Sequence, residues 1–422
     1  MMLDRATRLR ELNRHDEAVA MFLQHLAGEP EDAWAHYELA MTRYEMDGEG
    51  KAALESIRTA IQLEPEESHF FASQALILKK IDQHKRALES AERAIALDSD
   101  RSFNWATKGA ALSGMQRWAE AEEACREALA LDPDDEFALN QLAIFLRLQG
   151  KVSSSMDEVS ARLERDAEDP LAHANAGWTV FQGGDLPKAE EHFKEALRLD
   201  PSMEYARMGL LEAYRARSLF YRIYLKWVFF LQKYSEKQQL VIVLGFFFAY
   251  RLGREVLAKI DVRLAIALAV LYCFFAFGSY LASGIGSFLV LKDRAARLTL
   301  KRREKQEGIF VGGGFFLGLI LIALAFVCLP IPFAMLGATL IIAGVPGGMF
   351  WDNDSRPGRF VFGGLMAIVY LGGGVHFLSR LSAGSGTEWG AMAGMGFLVA
   401  IFAGVGSTWL GMIPSLRTEK GD

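Results

Sequence analysis

Cysteine is scarce in this chain. Cys125, Cys273 and Cys328 are the only three in 422 residues, and none stands in a CxxC or a Cys/His cluster. That excludes a disulfide framework and a thiolate zinc site from the reading. Histidine is thin as well: His15, His25, His36, His69, His84, His173 and His192 are scattered over the first half, and no two are spaced as HxxxH. No acid/base pair, Ser/His set or metal-ligand set emerges, so the sequence carries no catalytic residue, no cofactor motif and no metal site, and it reads as a non-enzyme. A clustered basic face is missing from the first half, which argues against nucleic acid. The N-terminus has no apolar h-region, so the expectation is no cleaved signal peptide and a first half that stays in the cytoplasm.

The charge that is present is unevenly placed. Up to Tyr214 there are 24 Lys+Arg against 41 Asp+Glu; the remainder holds 22 against 11. An acidic, solvated half joined to a basic, apolar half is the pattern of a soluble head on a membrane base.

Repetition organises the first half. Alanine recurs at Ala53, Ala87, Ala121 and Ala189 on a 34-residue period, and again at Ala60, Ala94, Ala128 and Ala196. Small residues hold the register at Gly109, Ala143 and Gly177, and Pro30, Pro65, Pro133 and Pro201 close most units. Small side chains let two helices approach, and proline stops a helix because it lacks an N–H and clashes with the preceding turn. This pattern resembles the tetratricopeptide repeat over about residues 1–214: six units starting near 1, 33, 68, 102, 136 and 170, then a capping helix. The fifth unit departs from it, with Ser155 and Arg162 in alanine positions.

The resemblance implies an α-solenoid whose inner face comes from the first helix of each hairpin. Carried over residue by residue, its partner-binding groove takes Tyr37, Met41 and Tyr44, then Leu76, Lys79 and Lys80, then Asn140, Ile144 and Arg147, and finally Trp178 and Phe181. Family members that grip a C-terminal carboxylate use Lys and Asn where Tyr37 and Met41 stand, so that clamp is absent. The groove suits an amphipathic helix or an extended segment with some acidic residues. Packing between neighbouring repeats is the other reading of Tyr44, Trp178 and Phe181, since aromatic residues at helical spacing belong to cores.

Beyond residue 238 the apolar stretches 239–250, 264–291, 308–329, 330–350, 360–379 and 389–413 follow one another. Crossing a bilayer takes about 20 helical residues, and all but the first stretch reach that length. The expectation is an all-α chain in three parts: a repeat array (1–214), an amphipathic interfacial helix (215–238) and a polytopic transmembrane domain of about six spans (239–422). Basic residues place the repeats on the cytoplasmic side of a bacterial inner membrane. Arg222, Lys226, Arg294, Arg297, Lys301, Arg302 and Arg303 are expected to meet anionic lipid headgroups. The junction around Tyr221 and Trp227 resembles that of some bacterial membrane proteins and brings no activity with it.

Glycine pairs such as Gly314/Gly318 and Gly390/Gly394 read as helix packing. His376 is the ionisable side chain inside an apolar stretch and so a candidate intramembrane polar site. Asp352, Asn353 and Asp354 read as a loop turn. The function these features imply is a membrane-anchored adaptor that recruits a protein partner. The alternative is a small transporter or channel regulated by its repeats.

Overall fold

The computed structural model describes residues 2–46, 48–353, 355–382, 388–410 and 416, and all regular structure in them is helical. Asp354 lies outside the described residues. The chain divides into two compact units: Met1–Met203 with Phe229–Gln239, and Glu204–Val228 with Leu240–Glu419.

Among the described residues the first unit holds six hairpins. They are α1 (Met2–Glu11) with α2 (His15–Gly28), α3 (Ala33–Glu45) with α4 (Gly50–Leu63), α5 (Ser68–Lys80) with α6 (His84–Leu97), α7 (Ser102–Gly114) with α8 (Trp118–Leu131), α9 (Glu136–Leu148) with α10 (Val152–Arg165), and α11 (Pro170–Gly183) with α12 (Leu186–Leu199). Each turn inside a hairpin contains a residue at positive φ: Asn13, Gly48, Asp82, Gln116, Gly150 and Gly184. These six share the sequence register, and three are glycine, the residue that reaches this backbone region without a Cβ penalty. Helix starts are capped by Asp32, Glu67, Asp135 and Asp169, whose carboxylates accept backbone N–H groups of the first turn.

The register alanines Ala53, Ala60, Ala87, Ala94, Ala121, Ala128, Ala189 and Ala196 are all fully buried. At Gly109 and Gly177 an added Cβ would meet Cys125 Sγ at 2.9 Å and the Phe193 ring at 2.7 Å, so the small residue is what admits the second helix. The irregular fifth unit is stabilised by polar contacts instead. Ser155 Oγ donates to the Ala143 carbonyl at 2.8 Å and shares a hydrogen bond with Thr179 at 3.0 Å. Arg162 pairs with Asp169.

The second unit is built from α13 (Glu204–Arg215), the parts of α14 (Leu219–Gln232) and α15 (Glu236–Ile260) outside residues 229–239, α16 (Val262–Val290) and α17 (Arg302–Glu307). A π-helical segment, Gly308–Gly312, leads on to α18 (Gly313–Val327), α19 (Pro332–Asp352), α20 (Arg356–Ser382) and α21 (Glu388–Leu410). Among the described residues three helical stretches are long and apolar enough to cross a membrane: Arg302–Ala325, Pro332–Asp352 and Arg356–Leu381. Phe277–Val290 and Gly394–Thr408 are shorter apolar helices among the described residues.

Glycines set the crossings of this unit, because a residue without a side chain lets two helix backbones approach closely. Gly318 of α18 and Gly337 of α19 face each other's carbonyl oxygens, Gly372 of α20 abuts the Gly396 carbonyl of α21, and Gly348 of α19 abuts the Tyr280 carbonyl of α16. Gly284 and Gly312 bring α16 against the π segment in the same way.

Candidate functional site

The residues expected to line the array's groove separate into two groups. At the C-terminal end, Trp178 meets Phe181 and Phe193 edge-on at 5.8 and 5.5 Å, and the Arg147 guanidinium lies 5.6 Å from the Trp178 ring. Phe181 is buried and meets Phe229 of the same unit edge-on at 5.8 Å. The neighbouring segment continues this covering: Trp118 Nε1 donates to the Gln232 carbonyl at 2.9 Å, and Gln239 reaches Gln116 at 3.1 Å. Arg147, Trp178 and Phe181 are therefore packed together, and Phe181 lies against Phe229 of the segment 229–239. Asn140 accepts from Asn175 at 3.0 Å across two repeats, and Ile144 packs against the Leu142–Leu146 cluster.

At the other end, Lys80 donates to the carbonyls of Tyr44 and Met46 and lies over the Tyr44 ring, which staples the second repeat to the third. Lys79 is half-buried, and burial holds its ammonium below the usual lysine range. Met41 and Leu76 are partly exposed on the same helices. Tyr37 shares a hydrogen bond with His69 Nε2 at 2.9 Å. Burial first, then the Arg101 charge, pulls His69 below the ordinary histidine range, so the imidazole is neutral near pH 7.

His69 opens onto a feature that the transferred groove positions missed. Trp34, His69, Phe103 and Phe137 occupy the same place in the first turn of successive first helices. Their rings follow one another at 6.3, 5.0 and 5.9 Å. Trp34 is 46% exposed, and the other three are partly exposed. The 34-residue register would have found them, since aromatic rings or imidazole recur at one position in four consecutive units. The Phe103–Phe137 pair adds about 0.5–1.5 kcal/mol beyond its buried area.

Among the described residues one trio, His25, Glu29 and Asp32, brings its ligand atoms within 4.8 Å of one another. His25 Nε2 is hydrogen-bonded to Asp32 Oδ2 at 2.8 Å, while Asp32 Oδ1 caps α3 through Ala35 N at 3.0 Å. That geometry locks the turn between α2 and α3. Cys125 is buried, which pushes its thiol up to about 12 and leaves it inert near neutral pH.

In the second unit, His376 is buried between α19 and α21, with Nε2 3.1 Å from Met335 Sδ and the ring stacked on Phe397 at 5.2 Å. A more polar assembly lies at α13. Arg215 donates to Glu212 Oε1 and to Ser287 Oγ of α16, each at 2.7 Å, and the Tyr221 hydroxyl donates to Glu212 Oε2 at 2.6 Å. Gly286 makes room for this: a Cβ there would meet Arg215 Cγ at 2.8 Å. Burial, then the Glu212 carboxylate, pushes the Tyr221 phenol well above its usual range, so it stays a donor.

A second clamp joins α13 to the basic loop. Arg207 bonds Glu204 at 2.7 Å and Glu304 at 2.9 Å, and Lys301 Nζ reaches Glu204 at 2.8 Å. The hydrogen bond from Arg207 is the largest influence on Glu204 and, with Lys301, holds its carboxyl at about 2 against an ordinary 4.5. The unfolded chain therefore takes up this proton before the folded one does. The clamp's contribution is full above pH 4.5 and disappears as pH falls through about 2. Thermal melts of wild type and Glu204→Gln are expected to differ near pH 7 and to converge in that acid window; a pH-independent difference would contradict the linkage. Salt reduces the effect, since Glu204 is 47% exposed.

Comparison with known families agrees with this architecture. Tetratricopeptide-repeat models match residues 102–135 in one case and 3–68 and 149–204 in another. The first half of the chain is an array of tetratricopeptide repeats, a protein–protein interaction fold. Solved structures similar to it include a thermophilic repeat protein of Thermus thermophilus, at 17% identity over 43% of this chain and 98% of that one, with a TM-score of 0.40. A repeat protein of Parabacteroides merdae matches at 16% identity over 50% and 81%, with a TM-score of 0.44. PilF of Pseudomonas aeruginosa matches at 17% identity over 49% and 94%, with a TM-score of 0.38. No curated protein matches the chain.

Proposed function

We propose that the chain is a membrane-anchored adaptor whose repeats hold a protein or peptide partner at the cytoplasmic face of a bacterial inner membrane. The observation that carries this reading is the partly exposed ladder Trp34–His69–Phe103–Phe137, with Tyr37, Tyr44, Leu76 and Lys79 on the same first helices. Rigid aromatic side chains bury much area at little entropic cost and dominate binding energies. An extended or helical segment with apolar side chains and some acidic ones fits this face.

Anchoring falls to the second unit. Its three long apolar helices supply spans, and α15, α16 and α21 complete a six-span reading. Arg222, Lys226, Arg294, Arg297, Lys301, Arg302 and Arg303 are all exposed and suit anionic headgroups. In α14, Leu219 and Ile223 are exposed beside Arg222 and Lys226, as in a helix lying at the bilayer surface.

The test uses full-length protein cross-linked in its native membranes. Wild type is expected to resist alkaline extraction and to capture a reproducible set of proteins. A Trp34→Ala/Phe103→Ala/Phe137→Ala variant, equally abundant in the membrane, should capture them about tenfold less or worse, the scale of one aromatic hot spot. Unchanged capture sinks the ladder as the binding face, and extraction at alkaline pH sinks the anchor.

A further inference from the structure

We propose that Glu307, held against Ser283 where α16, α17 and α19 cross, binds an exchangeable proton. This goes beyond the adaptor reading, needs no partner, and rests on that reading only for the membrane around the site. Glu307 is 6% exposed. Its carboxylate receives one hydrogen bond, from Ser283 Oγ at 3.2 Å.

The buried cation nearest in the network does not neutralise it. Arg215 spends its terminal nitrogens on Glu212 and Ser287, and among the described residues no cation stands within ion-pair distance of Glu307. The charges that face the site are Arg215 from α13, Asp352 from α19 and Glu304 from its own helix; Arg207 is already bonded to Glu304. From α16 the site meets the hydroxyl of Ser283, with Ser287 beyond it. Two of the three charges are negative, and the positive one is shared with Glu212.

A carboxylate removed from water costs several kcal/mol unless it is paired or neutralised. Taking up one proton (carboxylate plus H⁺ giving the neutral acid) removes that cost without any added atom. A hydrated or oxygen-coordinated metal cation does not fit the same place. The packing is backbone against backbone: a Cβ on Gly308, the next residue, would lie 2.9 Å from Phe288 N and 3.0 Å from the Ser287 carbonyl carbon. Among the described residues the side-chain oxygen bonded to Glu307 is that of Ser283 alone, too little for a cation shell. The proton is the ligand small enough for the site.

The backbone adds a second indication. The π-helical turn Gly308–Gly312 begins immediately after Glu307, and such turns relax the regular hydrogen-bond ladder, frequently at functional positions. An ionisable group at membrane depth or at its margin is itself a functional marker.

Infrared difference spectra of full-length protein in lipid nanodiscs, stepped between acid and alkaline buffer, test this. Wild type is expected to show a protonated-carboxyl band that comes and goes with pH, and Glu307→Gln should lack that one band. Replacing sodium by potassium should leave it unchanged. If Glu307→Gln fails to fold, Ser283→Ala serves: removing the hydroxyl should shift both the band and its midpoint. A band that survives in Glu307→Gln, stays unshifted in Ser283→Ala, does not titrate, or follows sodium instead of pH overturns the proposal.

Discussion

Arg215→Met is expected to destabilise the second unit by about 3 kcal/mol, the low end for breaking a buried pair, because it leaves the partly buried Glu212 carboxylate without its cation. The guanidinium is 7% exposed and holds Glu212 and Ser287 at 2.7 Å each. Volume is nearly conserved, so the loss reports charge and hydrogen bonding, not a cavity. Arg215→Lys should rescue little. One ammonium cannot span the two acceptors that a planar fork reaches together. Thermal unfolding of the full-length protein in mild detergent, followed by loss of its monodisperse chromatographic peak, measures both variants. A wild-type midpoint for Arg215→Met would show that the network contributes nothing to the fold. Glu212→Gln should fall between, since it removes the charge but its one amide oxygen can still accept from Arg215 while its NH2 group donates to the Tyr221 oxygen.

Gly348→Leu is expected to prevent the second unit from assembling. Even one added carbon at Gly348 would collide with the Tyr280 carbonyl of α16, and a backbone oxygen cannot rotate aside as a side chain does. Overpacking of a filled core costs about 1–3 kcal/mol when side chains can adjust, and more when they cannot. Gly364→Ala supplies the control. It lies in α20 with nothing within 4 Å of its built Cβ, and there alanine should be neutral or slightly stabilising, by up to about 1 kcal/mol of helix propensity. The readout is the amount of full-length protein that solubilises as a single species. Equal yields from Gly348→Leu and wild type would mean that α16 and α19 do not cross at this point. The same logic extends to Gly312 against Gly284, which fixes the π segment.

The repeat architecture was legible because its determinants are local and periodic. Alanine at Ala53, Ala87 and Ala121, glycine at Gly109 and Gly177, and the prolines closing the units each act within one hairpin, so a 34-residue register displays them in order. The turn residues Asn13, Gly48, Asp82, Gln116, Gly150 and Gly184 obey the same register. The face chosen for a partner was read less completely. Trp178 and Phe181 occupy transferred groove positions, yet Phe229, far along the chain, packs on Phe181, and no spacing inside the repeat reveals that. The ladder residues did carry a periodic signal, but at a position next to those transferred. Lys80 illustrates a third case: a cation on the expected face whose donors are spent on the carbonyls of Tyr44 and Met46.

In the second half, hydropathy marks apolar helices because transfer from water depends on composition over about 20 residues, and no partner helix is needed to see it. Which groups meet inside that half is another matter. Arg215 and Ser287 are 72 residues apart, and Ser283 and Glu307 are 24 apart; in sequence Glu307 looks like one more member of a charged loop beside Lys305. Sequence alone therefore determined the repeat, its turns and the location of the apolar helices, all set by interactions within a few turns of chain. Tertiary structure alone decided that Glu307, Ser283 and Arg215 share one buried crossing and that residues 229–239 cover the last repeats. The reason is physical: side-chain periodicity tells a helix which face is apolar, but only the glycine-limited approach of particular helices determines which polar side chains are shut in together.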